Sequence, residues 1–307
     1  MPRSARSVDA DLQCNGDLPL HVGHLRSLVI GESLRRLLVA QGHHVVYDVH
    51  VDDWGLQMGM LIAAIRRRWP DLSFFGGKDV ERGNILAATE LPFDIEDLQL
   101  FYPEAAAACK ADPERMAEAR EATAMLQSGR PGYVALWTAI RQISFASHQQ
   151  DIDALEAHFD LWFSESDAQS FIGETIDSLR ARKIAIEDDN AIVVDVTEAV
   201  DKKPMPPLLL AKSDGASTYA TTDLATIFVR TCENVLDRII YVVDQRQSLH
   251  FEQVFRAARL ADFARGVELI HVGFGTVNGS HGKPYRTRDG GVARLRDLLT
   301  EAIEKAR

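Results

Sequence analysis

The sequence predicts an α/β protein in which a Rossmann-like parallel sheet is split by a mainly helical insertion. Three observations predict this fold class. Short apolar segments typical of buried strands alternate with segments of helical periodicity near the start of the chain and again after about Phe159. The alternation is absent from residues 71–165, where strong helix formers dominate. Because such strands form parallel sheets with crossover helices, we expect ligands at the carboxyl ends of the strands.

The first half of the predicted fold contains two helices and one strand. A helix is predicted from about Leu25 to Ala40, where leucine and valine recur at helical spacing, and Gly42 follows it. The segment "HHVVYDVHV" then predicts a strand. The segment "GLQMGMLIAAIRRR" predicts a second helix, which Pro70 ends because proline cannot continue a helix.

The second half returns to short apolar strands. Strands are predicted at "FDLWF", "AIVVDV", "PLLLA", "RIIYVVD" and "ELIHVGFG", and helices at "TDLATIFVRT", "LHFEQVFRAARLADF" and "GGVARLRDLLTEAIEKA". The predicted domains are therefore residues 1–70 as the first half of the sheet, residues 71–165 as the helical insertion, and residues 166–307 as the second half.

Composition excludes several classes of protein. The 307 residues are 46% hydrophobic and 26% charged, which is typical of a globular protein. A net charge of −11 argues against a surface that is basic all over, so DNA is not an expected partner. The N-terminal segment is polar, so we expect a cytosolic location and no membrane. The three cysteines are far apart, so neither a disulfide framework nor a zinc site is expected, and no residue is assigned as a metal ligand.

Two histidines and a glycine stand where the first helix begins. In "HVGH", Gly23 would let a nucleotide approach the backbone closely, between His21 and His24. A helix N-terminus attracts phosphate through its unpaired N–H groups, and two imidazoles can donate hydrogen bonds to oxygens that gain charge during phosphoryl transfer. Taken alone, the pattern is equally compatible with two exposed histidines in a loop.

A local basic cluster lies near the C-terminal end of the sequence. The segment "GKPYRTRDGGVARLR" contains Lys283, Arg286, Arg288, Arg294 and Arg296. Such a cluster is usually a solvated helix end. The alternative is a basic loop that holds an anion such as phosphate.

Several long segments together resemble one known family. "HVGH" after a first strand is similar to the HIGH signature of class I aminoacyl-tRNA synthetases, and "PLHVGHLRS" followed by "HVDDWGLQMGMLI" resembles the arginyl-tRNA synthetases in particular. Further resembling segments follow in the family's order: "LQSGRPGYVALW", "FDLWFSES", "SDGASTYATTDLA", "RIIYVVDQRQSLHFEQVF", "HVGFGTVNGSHGKPYRTRDGG" and "LRDLLTEAIEKA". The resemblance covers roughly residues 15–305 and includes no counterpart of the family's anticodon-binding domain.

This resemblance implies an activity. Members of the family activate arginine with ATP, forming arginyl-adenylate and pyrophosphate, and then pass the arginyl group to the 3′ end of tRNA. The resemblance therefore implies arginine, ATP and Mg²⁺ as ligands and the tRNA acceptor end as a partner. The family's class I catalytic fold is the Rossmann-like fold expected above, with a signature loop and helix at its C-terminal end.

The resemblance also implies roles for individual residues. His21 and His24 match the signature histidines that contact ATP phosphates. Asn15 stands where the family has an asparagine that contacts the backbone end of the amino acid. Tyr219 and Asp223 match the pair at the arginine side chain, which agrees with the ability of a carboxylate to bind a guanidinium. From the sequence alone, Asp223 could instead be a helix cap for "TDLATIFVR".

Further residues match contacts to ATP and to the amino acid. Gln247 and His250 match polar residues that contact substrate and ribose, while Gly275 and Val277 belong to the segment "GFGTV" that reads adenine. The loop "GKPYRTRDGG" stands where the family has its KMSKS signature, with Arg286 and Arg288 as candidates for stabilising pyrophosphate and Lys283 as a further ATP contact.

Several positions depart from the family pattern, including Gln13 and Cys14, which replace a Ser-Pro pair before Asn15. Leu18 stands where many members have a lysine three residues before the first signature histidine. Ala10 stands where an acidic residue is expected, and Asp52 replaces a glycine. Loss of a preorganised donor such as the lysine typically lowers a rate by about 10²–10³-fold.

Three functional classes remain compatible with the sequence. The first is an arginine–tRNA ligase catalytic domain. The second is a paralogue that activates arginine or a similar amino acid and transfers it to a small molecule or a protein. The third is a non-catalytic relative that keeps the fold and binds a ligand.

Overall fold

The computed structural model describes residues 14–15, 20, 22–76, 91–213, 217–233, 235–275 and 295–306. The chain divides into two compact units. The first unit comprises Met1–Leu12, Ile30–His50 and Phe159–Gly275, and the second comprises Gln13–Val29, Val51–His158 and Thr276–Arg307. Among the helices within the described ranges, none combines the length and apolar character that crossing a membrane requires.

Helices and strands occur in both units. Two elements run from one unit into the other, namely α1 (Val22–Ala40) and β2 (Asp48–Asp52). The first unit also contains β3 (Leu161–Ser164), α6 (Glu165–Ala181), β4 (Ala185–Asp188), β5 (Ala191–Val194), β6 (Leu208–Ala211), α7 (Tyr219–Glu233), β7 (Arg238–Tyr241), α8 (Ser248–Leu260) and β8 (Glu268–His271). The second contains β1 (Cys14–Asn15), α2 (Leu56–Arg68), α3 (Ile95–Ala111), α4 (Pro113–Gln127), α5 (Pro131–Ala154) and α9 (Leu295–Ala306).

Strands β7 and β8 form the parallel pair that the sequence predicts in the second half. Their register runs from Arg238 opposite Glu268 to Tyr241 opposite His271. Helix α8 lies between them in the chain, as a parallel crossover requires. Strand β1 also pairs in parallel, with the end of β2. These pairs and their helices agree with the predicted α/β fold class.

Strands β4, β5 and β6 are antiparallel, so the prediction of parallel pairing is wrong for "AIVVDV" and "PLLLA". Ala185 pairs with Val194, and β5 pairs with β6 in the same antiparallel sense. The turn between β4 and β5 consists of Asp189 and Asn190, both with positive φ, at 46° and 61°. A two-residue turn of this kind suits a hairpin, whereas a parallel connection needs about a dozen residues.

Helix α6 is an element that the sequence analysis did not identify. It begins after Ser164, whose side chain accepts a hydrogen bond from the backbone of Asp167, while the Asp167 side chain accepts one from the Ser164 N–H at 2.8 Å. This reciprocal capping box satisfies two N–H groups that a helix start would otherwise leave unpaired. Leu179, on the same helix, is fully buried in the core of the first unit.

The core of the first unit packs α7 and α8 against the parallel strands. Leu224 and Ile227 of α7, Ile239 and Tyr241 of β7 and Phe251 of α8 are all buried in one cluster. Both helices therefore have fixed positions beside the strand ends where ligands are expected.

The second unit is mainly helical, as predicted for the insertion. Helices α2, α3, α4 and α5 share one apolar cluster, which includes Leu61, Leu98, Leu126 and Leu136. Arginines at the end of α2 form ion pairs with glutamates of α3 and α4, for example Arg68 with Glu104. The proposed division at residues 70 and 165 stays a prediction.

Candidate functional site

Tyr219 and Asp223 lie on one face of α7. They are four residues apart, so their side chains project from neighbouring turns of the same helix. Helix α7 begins at Tyr219, before the predicted start, so Asp223 lies inside the helix and is not its cap. Its carboxylate is buried, with 2% of the residue exposed. Burial of a carboxylate requires a hydrogen-bond partner, because an unpaired charge loses its hydration without compensation.

His250 supplies that partner. It lies in the first turn of α8, and its Nε2 donates to Asp223 Oδ2 at 2.5 Å. The ring centroids of His250 and Tyr219 are 5.0 Å apart. The structure therefore brings together three predicted site residues, two from α7 and one from α8.

The carboxyl ends of β7 and β8 lie next to each other beyond the parallel pair. Asp244 bridges to Phe274 in the parallel sense, and the Gln245 N–H donates to the Phe274 carbonyl at 2.8 Å. A Cβ on Gly273 would meet the amide end of the exposed Gln245 side chain, which is free to move aside.

Gln247 ends the short 3₁₀ turn Gln245–Gln247 and immediately precedes α8. Its backbone N–H donates to the Asp244 carbonyl at 2.9 Å, and its side chain is partly buried. The Asp244 side chain accepts from the Arg246 N–H at 2.8 Å and closes the turn. Gln247 and Gly275 thus both follow strands of the parallel pair, as expected for ligand contacts in this class of fold.

His271 lies close to this group and was not identified from the sequence. Its Nε2 donates to the Val243 carbonyl at 3.2 Å, and its ring stacks on Phe251 with centroids 5.0 Å apart. Burial lowers the pKa of His271, which favours the neutral imidazole. It lies in the middle of the predicted strand "ELIHVGFG" and ends the observed β8, so no sequence signal indicated its position near the site.

Three predicted site residues are described in the second unit. Asn15 ends β1 and is paired in register with Asp52 at the end of β2. Gly23 and His24 lie in the first turn of α1, which begins at Val22, slightly before the predicted start. The first turn has N–H groups without intrahelical partners, which is the feature that favours phosphate.

Several predicted site residues lie outside the described part of the chain, namely His21, Val277, Lys283, Arg286 and Arg288. Ala10 and Leu18, which depart from the family pattern, also lie outside it. Arg296 from the basic cluster is described, and it forms an ion pair with the buried Asp151 of α5. The Leu295 N–H donates to the Leu20 carbonyl at 3.0 Å. The start of α9 is thus fixed within the second unit.

The described residues suit the binding of an organic cation. A buried carboxylate flanked by a phenol and an imidazole can accept the N–H groups of a guanidinium. No cluster of three or more metal-ligating side chains occurs in the portion of the chain that the structure covers.

Comparisons with known proteins point to one family. The family model described as "tRNA synthetases class I (R), catalytic domain" matches residues 14–307. An arginine–tRNA ligase of Alkaliphilus oremlandii is 48% identical over 282 residues, covering 92% of this chain and 47% of the relative. One from Maricaulis maris is 48% identical over 288 residues, covering 94% and 48%. The chain thus spans about half the length of the curated relatives that it matches.

Solved structures give the same result for the fold. Arginyl-tRNA synthetase from Plasmodium falciparum superposes with a TM-score of 0.75 at 25% identity, covering 99% of this chain and 46% of that one. The Thermus thermophilus arginyl-tRNA synthetase superposes with a TM-score of 0.70 at 22% identity, covering 100% and 54%. The predicted Rossmann-like fold class is confirmed.

Proposed function

Because this chain belongs to the family of class I arginyl-tRNA synthetase catalytic domains, we propose that it activates arginine with ATP and transfers the arginyl group to tRNA. In the first step, the carboxylate of arginine attacks the α-phosphorus of ATP. The bond to the β-phosphate breaks, and arginyl-adenylate and pyrophosphate form. In the second step, a ribose hydroxyl of the terminal tRNA nucleotide attacks the activated carbonyl, and AMP leaves.

The buried Asp223 carboxylate is the single observation that carries this proposal. The carboxylate is 2% exposed and His250 engages only its Oδ2, so Oδ1 can accept from a guanidinium, which offers a rigid fork of N–H donors. Tyr219 lies four residues away on the same helix and places a phenol on the same helix face as Asp223. This pair therefore supports arginine as the amino acid that is activated.

The phosphate side of the reaction is assigned by the resemblance. His21 and His24 would donate to ATP phosphates, and Arg286 and Arg288 would stabilise the charge on the leaving pyrophosphate. Gly23 and Lys283 would be further ATP contacts, and Gly275 and Val277 would contact the adenine. Asn15 would contact the backbone end of arginine, and Gln247 would be a further polar contact to this substrate.

Magnesium would accompany ATP. Mg²⁺ commonly binds substrate phosphates with few protein ligands. When bound, it would neutralise charge on the phosphates. A cytosolic location stays a prediction.

The test is amino-acid-dependent exchange of pyrophosphate into ATP, measured with and without tRNA for all twenty amino acids. We expect arginine to support the fastest exchange. Exchange without tRNA charging would favour the paralogue that uses another acceptor. Arginine binding in a calorimeter without exchange under either condition would favour the non-catalytic relative, and activity with a different amino acid would contradict the assignment of Asp223.

A further inference from the structure

We infer that His250 determines specificity for arginine by holding the Asp223 carboxylate, instead of contacting the nucleotide ribose. This inference rests on the proposed function and deepens it. The relevant juxtaposition is that of His250 Nε2 with Asp223 Oδ2, between the first turn of α8 and the middle of α7.

The geometry engages one oxygen of the carboxylate. His250 Nε2 lies 2.5 Å from Asp223 Oδ2, and within the described residues no other side chain donates to this carboxylate. A carboxylate can accept at both oxygens, and a guanidinium has five N–H donors in a planar fork. Arginine can therefore bind Oδ1 while His250 keeps Oδ2, so the two donors share one buried charge.

The His250 ring is itself held in place. Its centroid lies 5.0 Å from that of Tyr219 and 5.2 Å from that of Phe251, which meets it edge-on at 75°. Phe251 is fully buried, so the core fixes this side of the His250 ring. The side chain of His250 is 22% exposed, compared with 3% for Asp223. The imidazole is thus more exposed than the carboxylate, and its Nε2 points to the buried Oδ2.

This arrangement orients the carboxylate for a guanidinium. Without His250, the carboxylate could rotate away from the orientation that arginine requires. With His250 in place, the carboxylate is oriented before arginine binds. The free energy of binding is therefore not reduced by the entropy cost of ordering this side chain. Nε2 is then committed to Asp223 and does not serve a ribose hydroxyl.

The test distinguishes an effect of His250 on arginine binding from an effect on ATP binding. Michaelis constants for arginine and for ATP are measured by pyrophosphate exchange on the wild-type chain, His250→Phe and His250→Gln. Phenylalanine keeps a ring for Tyr219 and Phe251 but has no donor, whereas glutamine keeps a donor. Leu249→Ala is the matched control, because Leu249 is the neighbouring residue of α8 and is 53% exposed.

We expect His250→Phe to raise the Michaelis constant for arginine by about 10–100-fold, the range for a hydrogen bond to a charged group. The constant for ATP should change by less than about twofold, and glutamine should restore most of the arginine affinity. Because the effect acts through Asp223, it should be non-additive with Asp223→Asn in a double-mutant cycle. Circular dichroism establishes that each variant is folded.

If His250→Phe raised the Michaelis constant for ATP and left the Michaelis constant for arginine unchanged, the inference would be overturned and the ribose contact would be restored. A lower kcat with both constants unchanged would overturn it as well. If the wild-type chain shows no arginine-dependent exchange, the proposed function fails. Calorimetric titration of arginine into wild type and His250→Phe then decides the role of His250 separately, and equal affinities would overturn it.

Discussion

Arg141 of α5 forms an ion pair with Asp53, the residue that follows β2, with Nε 3.1 Å from Oδ2. The Asp53 side chain is completely buried, and 24% of the Arg141 side chain is exposed. Trp137, one turn earlier on α5, donates from Nε1 to the Asp53 carbonyl at 2.8 Å. Helix α5 thereby holds both the side chain and the backbone at the end of β2, where Asp52 is paired with Asn15.

Arg141→Gln should destabilise the second unit, because it removes one charged partner of the buried Asp53 carboxylate. We expect a loss of about 2–3 kcal/mol in the free energy of unfolding, below the value for a fully buried pair because Arg141 is partly exposed. Urea denaturation followed by fluorescence of the tryptophans measures it. Arg67→Gln is the control, because it breaks a more exposed pair with Glu118 and should have a much smaller effect.

Asp53→Asn added to Arg141→Gln should recover part of this loss, since the amide needs no counter-ion. If Arg141→Gln were as stable as the wild type, the pair would have no role in holding the end of β2.

Gly59→Ala should destabilise the protein, because α2 and α4 pack together without room for a methyl group at this position. A Cβ on Gly59 would overlap Thr123 Oγ1 and the backbone carbonyl of Ala119, and a backbone atom cannot move aside without shifting α4. Overpacking of this kind costs about 1–3 kcal/mol. Thermal denaturation measures the loss.

Gly173→Ala is the matched control for Gly59→Ala. Gly173 also lies inside a helix, α6, but a Cβ there meets no atom within 4 Å. The substitution should stabilise the protein by about 0.5–1 kcal/mol, because alanine loses less backbone freedom than glycine. A loss of stability at both positions would show that helix packing is not the reason for the glycine in α2.

His50 should make the stability of the protein depend on pH. It is 2% exposed, and burial, assisted by the nearby Arg230, lowers its pKa to about 3. Arg230 also forms an ion pair with Asp48, two residues before His50. Since the histidine pKa is about 6.5 in an unfolded chain, the unfolded state binds the proton first, and stability falls as the pH drops below that value.

Between pH 8 and pH 5, this residue should account for a loss of about 2 kcal/mol. Urea denaturation of the wild-type chain and His50→Gln at both pH values isolates the contribution. The difference between the two pH values should be smaller in the variant by this amount. An identical difference in both proteins would mean that His50 takes up its proton equally well when folded.

Hydrophobic periodicity was sufficient to predict much of the fold, because it records which side chains are buried. Helix α2 was predicted to within one residue, and the cores of β7 and β8 were recognised as apolar runs. An apolar run does not indicate whether a strand pairs in parallel or antiparallel, so the antiparallel pairing of β4, β5 and β6 was not predicted. The two residues at positive φ, Asp189 and Asn190, were the local signal for its hairpin.

The candidate site was only partly predictable, because its contacts join distant parts of the chain. The spacing of Tyr219 and Asp223 placed both on one helix face, but the bond to His250 connects residues 27 positions apart. Family resemblance supplied the residues and assigned His250 to the ribose. Only the packing of α7 against α8 gives Asp223 a partner, so this contact required the structure.

Asp223→Asn should weaken arginine binding by about 1.5–3 kcal/mol, the range for a hydrogen bond to a charged group, while ATP affinity stays nearly unchanged. The amide can still accept from His250, so the fold of α7 should survive, but it no longer offers a charge to the guanidinium. Citrulline should bind the wild-type chain poorly, because it leaves the buried carboxylate without a cation. Calorimetric titrations of arginine, citrulline and ATP into both proteins measure these differences. Equal arginine affinity in wild type and variant would show that the carboxylate serves only to join α7 to α8 through His250.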